Sequence, residues 1–192
     1  MILPARPASA TLIIPPQFEE MAAKSDFVVR GRVTDMTSEL VAKGEGRKIF
    51  TRVKIEVLEI IAGAPPTELV LVCLGGRVGD EELRVDGSPE FQVGQEGIYF
   101  VRHNGRALSP LFAMGYGLYP IATDAATKRR YVTRGDTVPL ESTAEVARPL
   151  LGREVAELER LRRSPVNALS PDEFSTQIKT ARRAYQATDA ND

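Results

Sequence analysis

Two long stretches of alternating residues, between Ser25 and Gly63, constrain this chain more than any other feature. In the first, Phe27, Val29, Gly31 and Val33 share one side, and Val28, Arg30, Arg32 and Thr34 the other. In the second, Ile49, Thr51, Val53, Ile55 and Val57 share a side, with Arg52, Lys54 and Glu56 opposite. Alternation with a period of two marks strands with one buried and one wet face. At Leu58 and Ile60 apolar residues occupy what had been the polar side. Such a slip has two readings: a bulge or strong coiling of the kind a small barrel needs, or strand-end residues packing under a loop.

The flanking sequence fills in the remaining elements. Pro15-Pro16 leads into a short helix with Phe18, Met21 and Ala22 inward and acids near its start. Glu68 to Leu74 is apolar on both faces and reads as a strand covered on both sides. Further short strands follow around Leu83–Val85, Ile98–Arg102, Gly115–Ile121 and Arg130–Thr133, with an Asn104-Gly105 hairpin signal between them. Past Pro139 the pattern turns helical. Ser142 is a candidate N-cap with Glu145 three residues on. Val155, Leu158 and Leu161 mark a helix, and Ser170-Pro171-Asp172-Glu173 is a helix start. Phe174, Ile178, Ala181 and Tyr185 form a narrow stripe for docking on the chain's own sheet or on a second copy. The organisation expected is a tail or signal-peptide remnant over 1–14, a β-barrel domain over 15–136 and a helical extension over 137–192.

Composition narrows the functions. Among 192 residues, Lys plus Arg (25) nearly balance Asp plus Glu (26), which argues against general nucleic-acid or acidic-membrane binding. One Cys and one His allow neither an internal disulfide nor a His/Cys zinc cluster. No apolar run is long enough for a transmembrane helix. Ala8-Ser9-Ala10 has the small-x-small form of a signal-peptidase site, so a periplasmic or secreted location is expected, with the rest of the signal peptide upstream.

The start of the barrel region resembles a known module. Pro16-Gln17-Phe18 and Ser25 to Val33 resemble the start of the netrin-like module shared by the tissue inhibitors of metalloproteinases, and Val57 to Gly63 resembles the end of its second strand. The likeness spans Pro15 to Val101. The stretch with Val85 to Pro89 and Phe91 also resembles exported bacterial proteins of unassigned activity. The resemblance implies a mainly β fold: an OB-type barrel, closed or partly open, with a short N-terminal helix and C-terminal helices. In the inhibitors an N-terminal cysteine chelates the protease zinc and disulfides hold it in place. Cys73, inside an apolar strand, cannot do this. Cleavage after Ala10 would leave the Thr11 amine as the only equivalent, with nothing to preorganise it.

No residue set reads as an active site. His103 stands beside an Asn-Gly turn, and neither Ser88 nor Ser109 lies in a nucleophile elbow. Cys73 between Val72 and Leu74 reads as an inert thiol. Gly75, Gly76 and Arg77 could cradle an anion, but Asp80, Glu81 and Glu82 follow where a phosphate loop needs Lys-Ser/Thr and a helix, and they match no calcium-loop spacing. Arg30, Arg32, Arg52 and Lys54 could form a basic strip for single-stranded nucleic acid, or surface pairs with residues such as Glu56. Tyr99, Phe100, Phe112, Tyr116 and Tyr119 could line a pocket or fill the core. The expectation is a non-enzymatic envelope module with no catalytic residues, cofactor or metal. It would bind a protein partner through Thr11, the basic strip or the Gly75–Arg77 loop, with self-association through the last helix. A metalloprotease-inhibitor role and single-stranded nucleic-acid binding are the alternatives.

Overall fold

The computed structural model describes residues 13–43 and 46–189. The chain runs α1 (Phe18–Lys24), β1 (Phe27–Lys43), β2 (Gly46–Gly63), β3 (Leu69–Leu74), β4 (Gly76–Val78), β5 (Glu81–Leu83), β6 (Glu96–Val101), β7 (Leu118–Thr123), β8 (Arg130–Val132), α2 (Arg153–Arg162) and α3 (Pro171–Asp189). It is mainly β. Six strands form one antiparallel sheet in the order β3-β2-β1-β6-β7-β8, and β4 and β5 make a separate hairpin.

Alternation along β1 places the core on both faces of this sheet. Phe27, Val29 and Val33 join Val53, Ile55, Leu69, Leu71, Tyr99 and Leu118 in one buried cluster. Val28 joins Ile98, Phe100 and Tyr119 in a second cluster, which α1 and α3 cover with Phe18, Met21, Phe174 and Ile178. Leu71 of the edge strand β3 and Leu118 of β7 share the first cluster although three strands lie between them, so the sheet curls around it. It does not close. Between β3 and the far side stands the 103–108 loop, where Leu74 N–H donates to the Leu108 carbonyl at 3.1 Å. Asn104 completes the seam: its Oδ1 accepts from Val72 N–H at 3.0 Å and its Nδ2 donates to the Val70 carbonyl at 2.7 Å. A closed barrel is therefore not the architecture. The Asn-Gly pair is not a two-residue hairpin turn either, because the surrounding strands pair only at Val101 and Leu111, across a wider loop.

The slip at Leu58 and Ile60 resolves into bulges. The β1–β2 register skips Leu58 and Ile61 on β2, and Thr34 on β1. Leu58 and Ile60 remain exposed, and Glu59 between them meets Lys179 Nζ at 2.8 Å and Arg30 Nε at 3.5 Å. Bulges increase local coiling, and these lie where the sheet wraps beneath α3.

The C-terminal part is built into the same body. The Ser170–Glu173 capping box forms in full: Ser170 N–H and Oγ–H each meet Glu173 Oε2 at 2.8 Å, and Glu173 N–H donates to Ser170 Oγ at 3.2 Å. Phe174 and Ile178 are fully buried, so the apolar stripe of α3 is consumed by the chain's own core. The expected cap at Ser142 does not form. Residues Thr143–Ala147 make a 3-10 turn without a side-chain cap, and Glu145 is buried instead, bonded to Arg163 Nη1 at 2.7 Å and Arg148 Nη1 at 2.8 Å. A second buried pair, Arg134 and Asp136 at 3.4 Å, ties down the segment leading to α2. Arg134 donates to the carbonyls of Arg148 and Pro149, and Asp136 accepts from Leu151 N–H.

Candidate functional site

The feature that stands outside this body is the outer half of the β1–β2 hairpin. β1 pairs with β6 over Phe27 to Arg32, and Val33 exchanges backbone hydrogen bonds with Gly94 and Gln95. Thr34 is the extra residue of the bulge. From Asp35 to Lys43, β1 pairs with β2 alone among the described residues. Among the described residues no strand pairs with the other side of this nine-residue stretch, although β4 crosses the face of the hairpin beside Ser38. Natural edges are commonly blunted by Pro, Lys or a bulge. The Thr34 bulge and Lys43 bound the stretch, but between them Met36 to Ala42 contains no Pro, Lys or Arg, and its one carboxylate, Glu39, is paired with Arg52 at 2.7 Å.

Beside this edge lies a cleft of about 560 Å³ at the mouth of the curled sheet. Met36, Cys73, Leu74, Leu83, Val85 and Phe91 supply apolar lining, and Glu82, Arg84, Asp86, Glu90 and Arg153 a charged rim of mixed sign. The segment Gly87 to Glu90 separates it from a second cleft of about 480 Å³, bounded by Gly135 to Thr137 and by Arg153, Ala156 and Arg160 of α2.

Gly75 and Gly76 have a definite task here. They let β4 cross over the hairpin at close range. Gly75 N–H donates to the Ile49 carbonyl at 2.8 Å, the Gly75 carbonyl accepts from Thr51 Oγ at 2.7 Å, and Thr51 Oγ is 2.9 Å from Ser38 Oγ. A Cβ on Gly76 would fall 2.2 Å from Thr51 Oγ, and its φ of 131° suits glycine. The glycines are therefore occupied in a strand crossing rather than in cradling an anion. Arg77 lies beyond them on β4, exposed and opposite Glu82.

The four cations of the expected basic strip are each set against acids. Arg30 contacts Glu59, Glu96 and Asp172, the last at 3.0 Å. Arg32 lies 3.3 Å from Glu56 and 3.7 Å from Glu96, Arg52 pairs with Glu39, and Lys54 faces Asp35 in register. This network joins β1, β2 and β6 to α3; it is not a bare cationic track. Thr11 lies outside the described residues. The five aromatics are all buried: Phe100, Phe112 and Tyr119 belong to one core and Tyr99, on the opposite face of β6, to the other, while the Tyr116 hydroxyl accepts from Leu150 N–H at 3.3 Å, so the five do not line a shared pocket.

Of the residues considered for catalysis, Ser88 lies on the segment between the two clefts, and Cys73, Ser109 and His103 have structural surroundings. Burial pushes the Cys73 thiol up to about 12. Ser109 Oγ accepts from Leu111 N–H at 3.2 Å, and His103 takes a turn conformation with φ of 55° while its backbone N–H donates to Asp26 Oδ2. Among the described residues no group of three His, Cys, Asp or Glu is placed to hold a metal ion, and no helix is long and apolar enough to cross a membrane. The free edge and its cleft were missed in the sequence. The available signal was the length of β1 and β2, each far longer than β3 or β6 and so unable to be matched along its whole length. Comparison with protein-family models, with curated proteins and with solved structures finds no match for this chain.

Proposed function

We propose that this protein is a non-enzymatic interaction module which receives an extended segment of a partner protein along the free edge of β1. The observation that carries this reading is the one-sided pairing of Asp35 to Lys43 next to the cleft under Met36 and Phe91. An added strand satisfies the open row of N–H and C=O groups, and its alternate side chains reach the cleft, which is how main-chain pairing supplies affinity and pockets supply selectivity. The preferred ligand is an extended, proline-poor segment with an apolar anchor for the cleft. An OB-type, partly open barrel remains our reading of the fold; the central β1 flanked by β2 and β6, and the core shared by β3 and β7, support it. An envelope location rests on the Ala8-Ser9-Ala10 pattern.

The test is selection of binding peptides from a random library displayed on phage, followed by affinity measurement against the variants Met36→Lys and Leu40→Lys. Lysine on an edge strand opposes strand addition. Binding that falls at least about tenfold in both variants supports the reading. Peptides that bind both variants as well as the parent contradict it. The inhibitor alternative would require binding that depends on a free Thr11 amine. The nucleic-acid alternative would require the acid-paired Arg30 and Arg32 to exchange partners.

A further inference from the structure

The apolar stripe of α2 faces the wrong way for a helix that merely covers its own core. Ala156 is its buried residue, whereas Val155, Leu158 and Leu161 are 55%, 57% and 80% exposed. At about 100° per residue, the three span roughly 60° to either side of Leu158. They form a continuous ridge, and Val166 beyond the helix is exposed as well. The two ends of the ridge differ in charge. Glu154 flanks it in the first turn and Arg162 in the last. About Leu158 the ridge itself is a palindrome in character, Val155 matching Leu161 and Glu154 matching Arg162, while the like-charged match of Glu157 with Glu159 falls about 100° away on the flanks of the helix.

We infer that α2 is the contact of a two-fold symmetric homodimer in which the α2 helices of two copies pack antiparallel through Val155, Leu158 and Leu161. An isologous interface requires a patch complementary to itself, and this ridge is complementary to itself only in the antiparallel sense. A dyad at Leu158 sets Leu158 against its copy and Val155 level with Leu161. It brings Glu154 to the same level as Arg162 of the second molecule. Parallel packing would oppose like charges at both ends. The helix dipoles also favour the antiparallel arrangement. With one short helix from each copy the interface is small, so dimerisation is weak and concentration-dependent. This inference does not depend on strand addition at β1, and the variants that test one leave the residues of the other unchanged.

Sedimentation velocity on the full chain, up to about 1 mM, reads the equilibrium directly. A reversible monomer–dimer system is expected. Leu158→Glu should abolish it. Glu154→Arg and Arg162→Glu should each weaken it, and the double variant should restore it. All these side chains are exposed, so folding is preserved. Leu158→Cys should form a disulfide-linked dimer on oxidation. Three results would overturn the inference. One is a monomer at every concentration. Another is a dimer that survives Leu158→Glu. The third is a monomer in which removing residues 1–12 accelerates thiol labelling of Leu158→Cys, which would place the chain's own N-terminal segment on the ridge.

Discussion

Asn104 stands in for a strand beside Val72. Its side-chain amide accepts from the Val72 N–H and donates to the Val70 carbonyl, the pair of bonds that a neighbouring backbone would make. The β3 edge is thus covered by the 103–108 loop, through the Asn104 side chain and the Leu108 carbonyl, whereas the β1 edge beyond Val33 has no strand paired to it among the described residues. The contrast is the reason we propose the ribbon, and not β3, as the interaction surface.

Replacing Asn104 should therefore cost more than an ordinary loop substitution. Asn104→Ala leaves both β3 groups unpaired, and a loss of about 1–3 kcal/mol is expected in urea unfolding. Asn104→Asp keeps the acceptor for Val72 N–H but sets a carboxylate oxygen against the Val70 carbonyl, so it should not rescue stability at pH 7. Equal stability of Asn104→Ala and the parent would show that water replaces the amide without penalty.

The Cys73 thiol should be silent in the native protein. With burial raising it to about 12, native chain at pH 8 should react with iodoacetamide far more slowly than chain unfolded in guanidinium. The same shift has a consequence for stability. The folded state favours the neutral thiol, so its contribution is complete below the ordinary thiol range near 9 and is lost as pH rises from there toward 12. Burial also raises Tyr99 and Tyr119, which act in the same direction. Cys73→Ser should lose less stability than the parent between pH 9 and 12; equal losses would show that other groups dominate.

Thr137 is held at a φ of 66°, a left-handed conformation that a β-branched residue adopts only under strain. It closes the tight turn in which Thr137 N–H meets the Arg134 carbonyl and Arg134 N–H meets the Val138 carbonyl. The buried Arg134–Asp136 pair fixes that turn. Thr137→Gly should raise stability by about 1 kcal/mol, seen as a higher melting temperature. A lower one would mean that the Thr137 side chain makes a compensating contact.

The capping box of α3 should be visible in the pH dependence of stability. Hydrogen bonds from the Ser170 N–H, first of all, and from its hydroxyl hold Glu173 below the ordinary carboxylate range. Its contribution is therefore present above about pH 4.5 and fades as pH falls. Ser170→Ala should destabilise by about 1 kcal/mol at pH 7 and by less at pH 3. A loss that does not change with pH would remove Glu173 from the account.

Much of this fold was legible because local pattern and tertiary role coincide. Alternation in β1 and β2, the inward face of α1 and the Ser170 start of α3 all name their own surroundings. Other features depended on partners distant in sequence. Glu145 looked like half of a capping box until Arg163 drew it inward. Leu58 and Ile60 read either as a bulge or as strand-end residues under a loop; the bulges form and leave both exposed, while Glu59 is held by Lys179, 120 residues away. The basic strip was readable as cations but not as cations matched by Glu96 and Asp172, which come from β6 and α3. An edge is invisible in sequence altogether, because it is defined by the strand that is not beside it.

Hydrogen–deuterium exchange of the chain, with and without a library-selected peptide, tests the central proposal most directly. Strand addition should place new amide protection within Asp35 to Lys43, and Met36→Lys should abolish it. Protection confined to other surfaces, or a library that yields no binding peptide, would contradict the account.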